Sequence, residues 1–402
     1  MSELSNRRER AARIDSILPA LAAKAEEADR KAEFPIEHLA TFADAGLTGL
    51  VVPKEFGGLG GGLRDLVAAT FALGTACPST SLAFFFHNSS ASRGLLPLEA
   101  IEAGLYAPEH VPEIRAFAER LLMKLGRDRH WMANFASEAA KSSTANISVG
   151  TTAEPSTQHG VDGYVLNGTK SFGCSTGVAD DYLVTAKLPG GNSVEHLGLF
   201  FVDRRKPGVS ERTKWDAIGM RGTATHGIVL ENAFVPAVDA MAVPGGFARM
   251  ISVSRGSFVG PQVAGTAVYV GAAYALYNFA IEHLTSTTFA DTGQPIGTAS
   301  FQQQLIGQMR MHLDTALLWL RRQVELETAE PPLLPKPEVV RHWRIAKGTI
   351  AENSFAVATN ALKACGTGTP RTPGWWRGCC VFCRWVSCRR SLRRRAGSKG
   401  HR

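Results

Sequence analysis

The period of the hydrophobic residues changes twice along this chain, and that change restricts the fold to a sheet placed between two helical segments. From Arg7 to about Leu125 the spacing is helical, with Ile14, Ile17, Leu18 and Leu21 on one face, and Pro19 is expected to bend or interrupt the first helix. A second helix is expected after Phe34-Pro35. The run GLTGLVVPKEFGGLGGG, residues 46–62, has too many glycines for a helix and reads as a loop in close contact with other backbone; helical spacing resumes at Leu66 and reaches about Asn88. Between Phe135 and Met241 the pattern becomes short β-rich runs, as in DYLVTAKL (181–188) and HLGLFFVD (196–203). Asp162-Gly163 and Asn167-Gly168 are expected hairpin turns there. Helical spacing then returns with Leu305, Met309, Leu313, Ala316, Leu317, Leu320 and Val324, and again from Val339 through Trp343, Ala346 and Ile350. The expected class is α+β: an N-terminal helical domain (1–126), a middle antiparallel, barrel-like β domain (127–241), a C-terminal helical bundle (242–365) and a basic tail (366–402).

The formal charge of +8 does not indicate a nucleic-acid partner, because residues 366–402 hold nine Arg and one Lys with no Asp or Glu, leaving +8 − 10 = −2 on the remainder. Four of the seven cysteines, Cys379, Cys380, Cys383 and Cys388, lie in that tail. Their spacing lacks the paired knuckles of a zinc site, so no metal is expected, and the arginine-rich end reads as solvated and disordered. Only Cys77, Cys174 and Cys365 precede the tail, and the charged start MSELSNRRERAAR has no secretion-signal pattern, which together point to the cytoplasm. Phe258 to Ile281 carries no charge, but Pro261, Gln262, Thr266 and Asn278 make it a buried bundle helix rather than a membrane span.

There is no P-loop, no HExxH, no GxSxG with a plausible triad, and no GxGxxG between a strand and a helix. Three other stretches are informative: FPIEHLATFADAGLTGLVVPKEFGG (34–58), GYVLNGTKSFGCSTGVADDYLVTA (163–186) and AIGMRGTATHGIVLENAFVP (217–236). In this order, the sequence resembles the acyl-CoA dehydrogenase family, whose architecture is α, β, α. The resemblance implies an FAD-dependent oxidoreductase acting on the CH–CH group of an acyl-CoA, assembled as a homodimer or homotetramer, with an electron-acceptor protein as a possible partner. It places Phe135, Ser137 and Ser143 of NFASEAAKSS beside the pyrimidine side of the flavin, and Phe172, Cys174 and Ser175 near the ring and its N5. Gln302, in FADTGQPIGTASFQQQLIGQM (289–309), matches a glutamine that holds a neighbouring subunit's FAD, while the accompanying arginine is missing.

Removing an α-proton from an acyl-CoA requires a carboxylate. One of the family's two positions for it falls at Ser254, just before Arg255; the other lies beyond CGTGT (365–369), and no Asp or Glu follows Glu352. The abrupt change of composition from Gly366 to Pro370 suggests a shifted reading frame, testable by sequencing the coding DNA. The alternative function is a flavin monooxygenase of the same fold, supplied with reduced FMN and acting on a small sulfur-, nitrogen- or ring-containing substrate. It needs no α-proton base, and His87 is its candidate proton donor or hydrogen-bond partner. A third reading is a degenerate, non-catalytic flavin-fold protein.

Overall fold

The computed structural model describes residues 3–138, 149–255 and 262–366. Ser143, the residues before Gln262 in the uncharged segment, the tail cysteines and the stretch of altered composition after Gly366 lie outside the described residues.

The N-terminal helices are α1 (Glu3–Lys31), α2 (Glu37–Asp44), α3 (Leu63–Ala76), α4 (Pro78–Ser89), α5 (Ser92–Glu102) and α6 (Val111–Gly126). Of the two effects expected of Pro19, interruption does not occur, and α1 runs through it. Ile14, Ile17, Leu21, Ala25 and Ala28 are buried on one face of that helix, and this packing outweighs a proline's cost of about 3 kcal/mol. The glycine-rich stretch is a loop, held by bonds from Leu59 N to Gly49 O (2.9 Å), Gly60 N to Val52 O (2.8 Å) and Gly61 N to Leu50 O (2.8 Å).

The middle strands are β1 (Met132–Phe135), β2 (Thr152–Gln158), β3 (Val161–Gly173), β4 (Asp181–Lys187), β5 (Leu197–Asp203), β6 (Val209–Arg212), β7 (His226–Pro236) and β8 (Ala240–Met241). They form one sheet in the order β6-β7-β3-β2-β4-β5-β8, with β1 paired to β4. The sheet is mixed and open, because β1 runs parallel to β4 and β2 touches β4 in parallel at Thr152 and Lys187. Neither expected hairpin dipeptide turns the chain. The β2–β3 turn is His159-Gly160, both at positive φ (52° and 76°), so Asp162-Gly163 lies within β3. Asn167-Gly168 sits at a register shift between β3 and β7, with Gly168 at φ 149°.

The C-terminal helices are α7 (Gly246–Val253), α8 (Gln262–Ser286), α9 (Ser300–Thr328) and α10 (Lys336–Cys365). Among the described residues no helix is long and apolar enough to cross a membrane. Helix α8 instead buries every residue from Val263 to Ala273 among α3, α4 and α10. Its backbone meets α3 at two glycines: a Cβ on Gly271 would collide with the Phe71 carbonyl, and one on Gly74 would lie 2.9 Å from Val268 O. Gly271→Ala is therefore expected to cost about 1–3 kcal/mol by forcing the two helices apart. An unchanged urea midpoint would contradict that close approach.

Candidate functional site

Two irregular segments meet beside the end of β3. After Gly173 the chain turns through Ser175 at φ 63°, and opposite it a 3-10 turn, Arg221–Thr223, is flanked by Met220 and Ala224 at φ 55° and 44°. Ser175 N bonds to Thr223 O (2.9 Å) and Thr176 N to Ala224 O (3.0 Å). Left-handed backbone at three non-glycine residues is costly and persists where the surroundings over-determine it, as they do at functional sites. The turn is also braced from α1, since Arg221 Nε donates to Asp29 O (2.9 Å) and Gly222 packs beneath Ala28.

The Cys174 thiol lies 3.1 Å from Thr225 Oγ1, which is 2.6 Å from Thr223 Oγ1. Burial pushes that thiol up to about 12, so it stays protonated at neutral pH. The Ser175 hydroxyl is buried and accepts a bond from Trp131 Nε1 (3.0 Å). Trp131 stacks on His87 with ring centroids 4.2 Å apart and planes 9° apart.

His87 is not available as a proton donor, because both its nitrogens are engaged with backbone. Its Nδ1 accepts from Met132 N (2.9 Å), which leaves the proton on Nε2 to donate to Thr48 O (2.8 Å). Burial lowers its pKa to about 4, and it acts as a neutral strut between α4 and β1. Phe135 is likewise a core residue as a side chain, 0% exposed, packed on Gly173 and edge-on to Tyr182 at 4.8 Å.

Phe172 is different. It is 44% exposed, unusual for so large an apolar side chain, and stands edge-to-face with Trp215 at 5.4 Å. Nearby, the exposed Ser137 accepts Ser171 N through its carbonyl (3.0 Å), and the Ser171 hydroxyl is sealed without a hydrogen-bond partner. The chain around Ser137 is anchored by Glu138, whose carboxylate accepts from Gly150 N (2.6 Å), Thr151 N (3.0 Å), Thr151 Oγ1 (2.7 Å) and the fully buried Lys170 Nζ (2.7 Å). Burial pushes the Glu138 carboxyl up, but Lys170 and these donors outweigh it and hold it below the ordinary glutamate value.

Ser254 caps the C-terminal end of α7, and the next residue, Arg255, pairs with Glu330 and donates to Ala329 O (3.0 Å). Gln302, in the first turn of α9, donates to Ala364 O (3.3 Å), while its Oε1 is sealed without a partner. Sequence reading missed Trp131, Trp215, Thr223, Thr225 and the Glu138–Lys170 pair. A lone lysine in a strand of otherwise half-buried pattern was the available signal for the pair. With the thiol protonated and His87 neutral, neither group is poised to exchange a proton near neutral pH.

Comparison with known proteins agrees with this architecture. The sequence matches the acyl-CoA dehydrogenase N-terminal domain over residues 16–97, the middle domain over 133–233 and the C-terminal domain over 264–373. It is 30% identical over 364 residues to the L-evernosamine nitrososynthase of a Micromonospora species, covering 88% of this chain and 79% of that protein. The structure of KijD3 in complex with FMN and an amino-sugar nucleotide superimposes with TM-score 0.74 at 22% identity, covering 96% and 89% of the two chains. Butyryl-CoA dehydrogenase from Megasphaera elsdenii does so with TM-score 0.74 at 18% identity, covering 98% and 99%. Matched in all three of its segments, in order and on the expected elements, the chain belongs to the acyl-CoA dehydrogenase family.

Proposed function

We propose that this protein is a flavin-dependent monooxygenase that binds FAD or FMN against Phe172 and acts on a small nitrogen-, sulfur- or ring-containing substrate. The residues present suit a flavin: an exposed aromatic face at Phe172, the thiol and hydroxyls of Cys174, Thr225 and Thr223, and a sealed, unpartnered Ser171 hydroxyl. A bound flavin would supply the redox chemistry. The chain's own contribution is to stack the ring, fix its edge with neutral donors and exclude water.

The observation that carries the choice of chemistry is Ser254, which ends α7 where the family resemblance places a carboxylate base. Without that base the α-proton of an acyl-CoA has no acceptor at this position, whereas oxygenation requires none. The relative named for nitrososynthase activity supports oxygenation at nitrogen. Acyl-CoA dehydrogenation, with an electron-acceptor protein as partner, is the second reading, supported by the three dehydrogenase domain matches. Under either reading we place the protein in the cytoplasm as a homodimer or homotetramer, with Ser137, Ser143 and a neighbour's Gln302 among the flavin contacts. Exposed Phe301, Met311 and Leu318 along α9 support such an assembly. The division 1–126, 127–241 and 242–365 remains our reading of its domains.

The test is a visible spectrum of the purified protein with added FAD or FMN. Bound flavin that is not bleached by acyl-CoA under anaerobic conditions, but supports oxygenation of amines or sulfides when supplied reduced, is the expected result; bleaching by acyl-CoA would favour the dehydrogenase, and no flavin binding would refute both. Phe172→Ala is expected to weaken flavin binding about ten-fold, from loss of the aromatic face, with little change in the unfolding midpoint.

A further inference from the structure

The side chain of Arg93 in the first turn of α5 is 4% exposed, yet among the described residues no carboxylate faces it. Its hydrogen bonds are from Nη1 alone, to Ser89 O (2.9 Å) and Ser92 Oγ (3.0 Å), both neutral acceptors. The chain segments 139–148, 256–261 and 367–402 contain no Asp or Glu either. A buried guanidinium answered only by a carbonyl and a hydroxyl is costly, because neutral acceptors do not replace the hydration of a full charge. Its pKa is lowered accordingly, to about 10, with burial as the cause.

Partial capping of α4 accounts for one nitrogen of the fork and not the rest. Among the described residues Nε and Nη2 make no hydrogen bond, which leaves that edge of the guanidinium unanswered in a buried corner. That corner lies six residues beyond His87, where α4 leaves β1 and α5 packs against α7. The neighbouring Gly94 packs on Ala118 and Leu122 of α6, so that face of α5 is closed. Phe86, near the end of α4, is only half-buried and is the partly open position of a helix otherwise buried throughout. Through His87 and Trp131 the same corner is joined to the Ser175 turn of the proposed flavin site.

We propose that Arg93 anchors an oxyanion of the substrate, a carboxylate or a phosphate, through the free edge of its guanidinium. Two parallel N–H groups match either anion in a bidentate contact, which a lysine would not reproduce. The inference names a feature of the substrate and rests on the function proposed above for its place in catalysis; its anion affinity can be measured without flavin.

The test is calorimetric titration of the full chain with benzoate, with benzamide as its neutral isostere and with inorganic phosphate, repeated on Arg93→Lys and Arg93→Met. The expected result is at least a ten-fold preference for one anion over benzamide, abolished in Arg93→Met and reduced in Arg93→Lys. Preference for benzoate assigns a carboxylate substrate and preference for phosphate a phosphorylated one. Equal binding of anion and amide by the natural protein, or a preference that survives in Arg93→Met, overturns the proposal. Should Arg93→Met fail to fold, unchanged anion preference in Arg93→Lys overturns it equally. Flavin uptake read from the spectrum of each sample separates the two ideas: uptake without anion preference refutes the role of Arg93 alone, and anion preference without uptake refutes the flavin reading alone.

Discussion

Replacing Lys170 by Met is expected to destabilise the protein by about 3–5 kcal/mol, the range for removing one partner of a buried ion pair. Lys170 is 0% exposed and Glu138 nearly so, and their contact is 2.7 Å. Methionine fills much of the same volume, so the loss comes chiefly from the carboxylate left behind. Glu138 would keep its bonds to Gly150 and Thr151, but those neutral donors do not balance a buried charge. Converting Glu138 to Gln in the Lys170→Met background should recover part of the loss, since it neutralises the orphaned carboxylate and keeps an acceptor. Urea unfolding followed by tryptophan fluorescence measures both. A loss below about 1 kcal/mol in the single variant would mean that solvent or another group compensates the charge.

Acid should weaken the fold well above the pH at which ordinary carboxylates titrate. His87 and His38 are buried, and burial lowers each from 6.5 to about 4. A histidine with a folded pKa below its unfolded one is bound to fewer protons in the native state, so stability is full above about pH 6.5 and is lost as the pH falls toward 4. Each group accounts for about 3 kcal/mol over that window, at about 1.4 kcal/mol per pH unit. For His87 the reason is visible in its bonds: a proton on Nδ1 would point at the Met132 N–H that it now accepts. His38 bonds through Nδ1 to Thr80 Oγ1 (3.0 Å), and its Nε2 is sealed without a partner. Loss through Glu138 has the same direction but begins lower, since its carboxyl is held below 4.5. Unfolding free energies at pH 7, 5.5 and 4.5 should therefore fall progressively, and a flat profile over that range would exclude both histidines as the acid-sensitive groups.

The periodicity of the sequence was sufficient to read the α, β, α order, because amphipathic helices and half-buried strands differ in the spacing of their apolar residues. The turns were less legible. Asp162-Gly163 has the composition of a hairpin turn, but the register places the reversal at His159-Gly160, where a histidine takes positive φ. Pairing decides that, and pairing is not local. Pro19 has the same lesson: its local cost is real, and a long buried face overrides it. At the site, the motifs that resemble the family pointed to Phe172 and Cys174, at and just past the end of β3. They could not tell which hydroxyls face outward, and Ser175 and His87 turn inward to Trp131 and the backbone. The Trp131 link joins segments more than forty residues apart, beyond the reach of any window.

The brace from Arg221 to the carbonyl of Asp29 ties the Met220–Ala224 turn to the opening helix. Shortening or remodelling that helix is thus expected to shift the turn, although the two lie far apart in sequence. Variation near the amino terminus is accordingly expected to act at a distance, by tilting the loop that Thr223 and Thr225 stand on.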